Sequence, residues 1–221
     1  MKFALYVALA VSLMACSVPT SSTHFLALGD SYTIGEGVTA SERWPEKLVE
    51  DLKNRGLILD SLQIIAQTGW TTDELLLGVL ESPVLPAYDL VTVMVGVNNQ
   101  YRGRSLENFR NELAILLEKS IDYAGKEHEK VFVISIPDWG VTPFAGQRDK
   151  VKIASEIDAF NAEIKKLCES FQLRYIDVTE ISRKAAQDPT LLADDGLHPS
   201  GLMYAQWVEK MAPIIFETLH D

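Results

Sequence analysis

His24-Phe25-Leu26-Ala27-Leu28 is a short apolar run, and Gly29-Asp30-Ser31-Tyr32, which follows it, turns at once small and polar. A run of this length without polar alternation reads as a strand buried on both faces and left through a tight turn. Four more such runs follow at Leu62–Ala66, Leu90–Val95, Val131–Ile136 and Arg174–Val178. Longer segments with helical spacing separate them. That alternation predicts an α/β architecture, a five-stranded parallel sheet covered by helices, with too few polar positions for any strand to have a solvated face.

The helices are also marked at their ends. Pro45 suits a first turn and Gly56 a stop, with Leu48, Val49 and Leu52 as the inward stripe between them. Thr71-Thr72-Asp73-Glu74 reads as a capping box. Leu106, Phe109, Leu113, Leu116 and Leu117 line one face of the next helix, and Ala154, Ile157, Ile164, Leu167 and Phe171 one face of another. A last helix from about Ser200 is expected to bend or break at Pro213.

In an open parallel sheet, ligands bind outside the carboxyl ends of the strands. Ser31 falls there, directly after the first run. A turn serine that bonds its own backbone would look the same, so the position alone does not identify a nucleophile. A serine attacks only when a base takes its proton, and the base needs a group to fix its tautomer. Of the four histidines, His24 begins a strand, His128 lies in a charged loop and His220 is the penultimate residue. His198 follows the last run in Asp195-Gly196-Leu197-His198-Pro199, where a loop can turn the Asp195 carboxylate back onto the ring. Acyl transfer also needs donors for an oxyanion. Gly69, after the second run, offers a backbone N–H with no side chain in the way, Asn98, after the third, offers its amide, and Ser31 its own N–H.

Gly29-Asp30-Ser31, Gly69, Gly96-Val97-Asn98 and Asp195-Gly196-Leu197-His198, in this order, resemble the four signature blocks of the SGNH, or GDSL, hydrolase family. The resemblance implies a flavodoxin-like three-layer α/β/α sandwich, no cofactor and no metal, and hydrolysis of carboxylic esters or thioesters through an acyl-enzyme. It assigns Ser31, Gly69, Asn98 and His198 to the family's named positions, with Asp195 as the orienting acid. One departure stands out: Asn99 occupies the place where the family usually has aspartate, which puts the hydrogen bonding of that loop in question.

Across 221 residues the chain carries 31 acidic and 20 basic side chains, a formal net charge of −11, and 47% hydrophobic residues, enough for one domain with a sizeable core. Such a surface repels a nucleic-acid backbone. Lys2 followed by the apolar run Phe3–Ala15 has the shape of an export signal, and is short for a permanent span, which needs about 20 apolar residues. Leu13-Met14-Ala15-Cys16 resembles the lipobox of bacterial lipoproteins, in which the leader is removed and the new terminal cysteine is lipidated. The expected organisation is a signal peptide over 1–15, a lipidated tether over 16–23 and the hydrolase domain over 24–221. The protein would sit outside the cytoplasm, touching a bacterial membrane only through its anchor. No disulfide is expected between Cys16 and Cys168, since the latter falls on the apolar side of a helix.

Trp44, Trp70, Tyr101 and the loop Pro137–Phe144, with Trp139 in it, neighbour strand ends; aromatics there would suit a sugar ring, while any one of them taken singly reads first as a loop anchor or core residue. Arg102 and Arg104 read better as solvated flanks of the next helix than as anion ligands. Three readings stand: an esterase for short acyl groups, carbohydrate O-acetyl included; a lysophospholipase or thioesterase for longer chains; and a surface binding protein without turnover. A neutral His198 base predicts activity falling below about pH 6.5.

Overall fold

The structure, a computed structural model, describes residues 22–220. The expected leader, Cys16 and most of the tether lie outside them. Thr23 already belongs to the body: its N–H donates to Asp60 Oδ2 at 2.7 Å and its hydroxyl to the Ile58 carbonyl at 2.5 Å.

The sheet contains β1 (His24–Gly29), β2 (Ser61–Ala66), β3 (Leu90–Met94), β4 (Val131–Ile134) and β5 (Arg174–Ile176), all parallel, in the order β2-β1-β3-β4-β5. The chain steps from β1 to one edge, returns across β1 to β3, and then moves outward strand by strand. Right-handed crossovers therefore place the helix after β1 on one face and those after β2, β3 and β4 on the other. Helix contacts agree. α2 (Trp44–Arg55) packs on the terminal α8 (Gly201–His220), while α3 (Thr72–Glu81), α5 (Leu106–Tyr123) and α6 (Lys150–Phe171) form the opposite layer. The result is the three-layer α/β/α sandwich.

Helix ends follow the local chemistry. Gly56, at φ +100°, closes α2 by donating to the Leu52 and Lys53 carbonyls, and Thr71 N–H donates to Glu74 Oε2 at 2.9 Å to open α3. The stripes of α5 and α6 bury Phe109, Leu113, Leu116, Leu117, Ile157 and Ile164, with the Phe109 and Phe160 rings 4.7 Å apart between the two helices.

Several expectations need correction. β3 and β4 end at Met94 and Ile134 rather than at Val95 and Ile136. β3 and β4 are wholly buried and β1 nearly so, but Ser61 of β2 and Arg174 of β5 are exposed, because these are the sheet's edges. β5 stops at Ile176 rather than Val178: Val178 N–H donates to Ser135 Oγ at 2.8 Å, so a side chain replaces the next ladder bond. α8 runs through Pro213 without a break. The carbonyl that Pro213 leaves without its helical donor belongs to Glu209, which is exposed, while Met211, Ala212 and Ile215 stay anchored in the core. The turns after β1 and β3 contain short helices, α1 (Ser31–Ile34) and α4 (Val97–Tyr101), too brief to leave a periodic pattern.

Cys168 is buried and has no disulfide partner among the described residues, and burial pushes its thiol up to about 12. Among the described residues no helix is long and apolar enough to cross a membrane.

Candidate active site

The strand order reverses between β2-β1 and β1-β3, so loops diverge at the carboxyl ends of β1 and β3 and leave a crevice. Ser31 opens α1 directly after β1, Gly69 follows β2, Asn98 lies in α4 after β3, and Trp139 and Phe144 follow β4. His198 arrives from the loop ahead of α8. Ser31, Gly69, Asn98 and His198 line one cavity of about 140 Å³.

Asp195 organises the His198 loop. Its Oδ1 accepts from the Leu197 and His198 N–H groups, each at 2.9 Å, and its Oδ2 accepts from His198 Nδ1 at 2.6 Å. Gly196 between them sits at φ +67°, where a side chain would strain the turn. Partial burial opposes the Asp195 charge, but the bonds from the His198 ring and from both backbone donors outweigh it and hold the carboxyl below its ordinary range. An ionised carboxylate only accepts, so the proton of the ring is held on Nδ1 and Nε2 is left as an acceptor. The Tyr32 ring meets the imidazole edge to face at 5.5 Å and fixes its plane from the apolar side. Among the described residues, Ser31 Oγ makes no hydrogen bond; it opens onto the cavity that His198 also lines. Serine–histidine bonds are often long in unliganded enzymes and tighten around substrate.

The donors are equally well placed. Tyr32 N–H is used by Asp30 Oδ1 at 3.1 Å and Trp70 N–H by the Gln67 carbonyl at 3.2 Å, but the N–H groups of Ser31 and Gly69 have no acceptor among the described residues. Gly69 reaches this conformation at φ +88°. Asn98 Nδ2 donates one N–H to the Trp70 carbonyl at 2.9 Å, which fixes the amide plane and leaves its second N–H for the cavity. Further bonds join the Gly69 loop to the α4 segment. Arg102 donates to the Gly69 carbonyl at 2.6 Å and to Glu74 at 3.1 Å, and Arg104 donates to Asp73 at 2.6 Å. These arginines are thus neither free flanks nor anion ligands: they clamp two donor-bearing segments into one unit.

Asn99 answers the question raised by its departure from aspartate. It is fully buried, accepts from Thr72 N–H at 3.1 Å and donates to Thr72 Oγ1 at 2.7 Å. The Thr72 hydroxyl in turn donates to Glu112, whose Oε2 lies 3.5 Å from Asn99 Nδ2. Glu112 supplies the negative acceptor here, so position 99 must be a neutral donor.

The aromatics divide. Tyr101, Trp139 and Phe144 line the cavity, packed with Tyr101 and Trp139 centroids 5.3 Å apart, and the Trp139 indole donates to Gln100 Oε1 at 2.8 Å. Trp70 is not on the cavity wall; its ring covers Gly78, where a Cβ would come within 2.2 Å of it. Trp44 is core, fully buried near Phe25. Sequence reasoning missed Tyr32, Gln100 and Arg148. Only the need of a buried indole for a partner hinted at Gln100.

Asp30 is also fully buried, and its Oδ2 has no partner among the described residues. Burial pushes its carboxyl up to about 7, against the lowering effect of the Tyr32 N–H.

Comparison with known proteins bears on the family and the fold. Residues 27–206 match the GDSL-like lipase/acylhydrolase family. No curated protein matches the chain by sequence. Solved structures share its fold. A lipase from a goat rumen metagenome superposes with a TM-score of 0.71 at 20% identity, over 87% of this chain and 97% of that one. A lipase/acylhydrolase from Enterococcus faecalis gives 0.67 at 22% identity, over 88% and 96%. An acetylxylan esterase from Geobacillus stearothermophilus gives 0.63 at 16% identity, over 91% and 95%. With the match spanning its strands, its crevice and the loop of His198, this chain belongs to the GDSL-like lipase/acylhydrolase family and is a serine ester hydrolase.

Proposed function

We propose that the protein hydrolyses esters of short acyl groups, carbohydrate O-acetyl groups included, through an acyl-enzyme on Ser31. The observation that carries this is the meeting, in one cavity, of Ser31 with the free side of an imidazole whose far nitrogen is held by Asp195 at 2.6 Å. His198 Nε2 takes the Ser31 proton as Oγ attacks the ester carbonyl carbon. The carbonyl oxygen becomes an oxyanion held by the N–H groups of Ser31 and Gly69 and the Asn98 amide. Collapse breaks the bond to the leaving alcohol, which receives the proton from His198. A water, deprotonated by His198 in the same way, attacks the acyl-enzyme, and the acid leaves as Ser31 regains its proton. Asp195 stays ionised throughout and stabilises the imidazolium.

Size supports short acyl groups. A cavity near 140 Å³, open on one side, compares with the roughly 150 Å³ that encloses one benzene molecule, room enough for acetyl to about butyryl. Tyr101 and Phe144, each partly exposed at the wall, give a stacking surface for the alcohol. The Geobacillus structure is an acetylxylan esterase, which is in keeping with this reading. The leader, Cys16 and short tether support an exported enzyme held to a bacterial membrane by lipid, where polymeric or small ester substrates meet it.

A series of para-nitrophenyl esters from acetate to decanoate tests the reading. The highest kcat/KM is expected at acetate or butyrate; a maximum at decanoate would transfer the assignment to longer acyl chains, and absence of turnover would leave a binding protein.

A further inference from the structure

Arg148 packs against three aromatic rings of the cavity wall without itself lining the cavity. Its guanidinium carbon is 5.4 Å from the Phe144 ring centroid, 5.7 Å from that of Trp139 and 5.8 Å from that of Tyr101. One nitrogen donates to the Phe144 carbonyl at 3.1 Å and another to the Tyr101 hydroxyl at 3.5 Å. All three rings line the cavity that contains Ser31 and His198. A guanidinium has five N–H donors, so most remain free after these two bonds.

Most arginines of the chain are paired with carboxylates, and Arg148, like Arg110 and Arg174, makes no ion pair among the described residues. Acidic residues outnumber basic ones by 31 to 20, and Arg43, Arg102, Arg104 and Arg183 are each paired with carboxylates. Arg148 has no carboxylate within 4.0 Å among the described residues. Aromatic faces hold it instead, and they attract the cation without neutralising it. Its flexibility is reduced while its charge remains available at the rim. Its neighbour Asp149 caps the start of α6, Oδ1 accepting from Lys152 N–H at 3.0 Å, so that end of the helix is already occupied.

We propose that Arg148 forms an anion subsite at the cavity rim, so that the favoured ester carries a carboxylate or phosphate a few atoms from the scissile carbonyl. This rests on the serine-esterase reading above and narrows its substrate class. The anion can belong to the acyl half, as in a dicarboxylic half-ester, or to the alcohol half, as in an acetylated acidic sugar; the planar fork of the guanidinium suits either.

The full chain is assayed with para-nitrophenyl acetate, para-nitrophenyl hemisuccinate and para-acetoxybenzoate, which place no anion, an acyl-side anion and an alcohol-side anion. The expected result is that Arg148→Gln lowers the kcat/KM ratio of one charged ester to the neutral ester about tenfold, mostly through KM. Arg148→Lys should keep part of the ratio, and added salt should reduce it in the wild type. The ester affected identifies the half that bears the anion. Ratios unchanged within about twofold for both charged esters would overturn the proposal. If no ester turns over, the esterase reading fails, and calorimetric binding of para-nitrobenzoate judges the subsite alone: binding lost in Arg148→Gln upholds it, and no binding to the wild type overturns it.

Discussion

Asp195, on the loop ahead of α8, and Asp30, on the turn after β1, are carboxylates of one site that the fold drives in opposite directions. Asp195 is partly open and accepts three hydrogen bonds, which hold its pKa down; Asp30 is sealed, accepts one, leaves Oδ2 unpartnered, and is pushed up to about 7. Environment therefore decides which carboxylate can support an imidazolium. The one beside the nucleophile in sequence is suited to holding the β1–α1 turn. The one more than 160 residues away is suited to catalysis.

Asp195→Asn should show the largest effect, a fall in kcat of about ten thousandfold on para-nitrophenyl acetate, because an amide favours the wrong imidazole tautomer. A fall of less than tenfold would break the comparison. Asp30→Asn should act on stability. The folded pKa of Asp30 lies above its unfolded value of 3.8, so its favourable contribution is complete below about pH 4 and lost as pH rises through about 7. The difference is of the order of 4 kcal/mol, from roughly three pKa units. Urea unfolding at pH 4 and pH 8 should show the wild type losing stability relative to Asp30→Asn; parallel behaviour would mean that Asp30 is not held protonated.

Asn98→Ala should lower kcat about a hundred- to a thousandfold with less change in KM, if its amide serves the oxyanion as proposed. Asn99→Asp is expected to have the smallest effect, a loss of about 1–3 kcal/mol of stability. It removes the donor to Thr72 and sets a second carboxylate beside Glu112. Glu112→Gln should recover part of that loss in the double variant, and additive losses would show that the two positions do not communicate.

The three-layer fold and most of the site were legible because their signals are short-range. The central strands are contiguous apolar runs, and Ser31, Gly69 and Asn98 follow strand ends, where the logic of parallel sheets places ligands. Asp195 and His198 were legible because a three-residue spacing closes their bond within one loop. What escaped depends on contacts between distant segments. Trp70 sits beside Gly69 in sequence, yet α3 takes its ring at Gly78. Arg102 and Arg104 look like solvated flanks until α3 brings Glu74 and Asp73 within reach. Asn99 reads as a defect until Glu112 supplies the missing charge, and Arg148 acquires meaning only from three rings gathered from two loops.

In the proposed mechanism His198, held by Asp195, activates the Ser31 hydroxyl. Mass spectrometry of the chain after brief exposure to a fluorophosphonate addresses it directly. A single adduct is expected on the peptide bearing Ser31, absent in Ser31→Ala and formed far more slowly in His198→Ala. An adduct on another residue, or one formed at the wild-type rate without the imidazole, would contradict that mechanism.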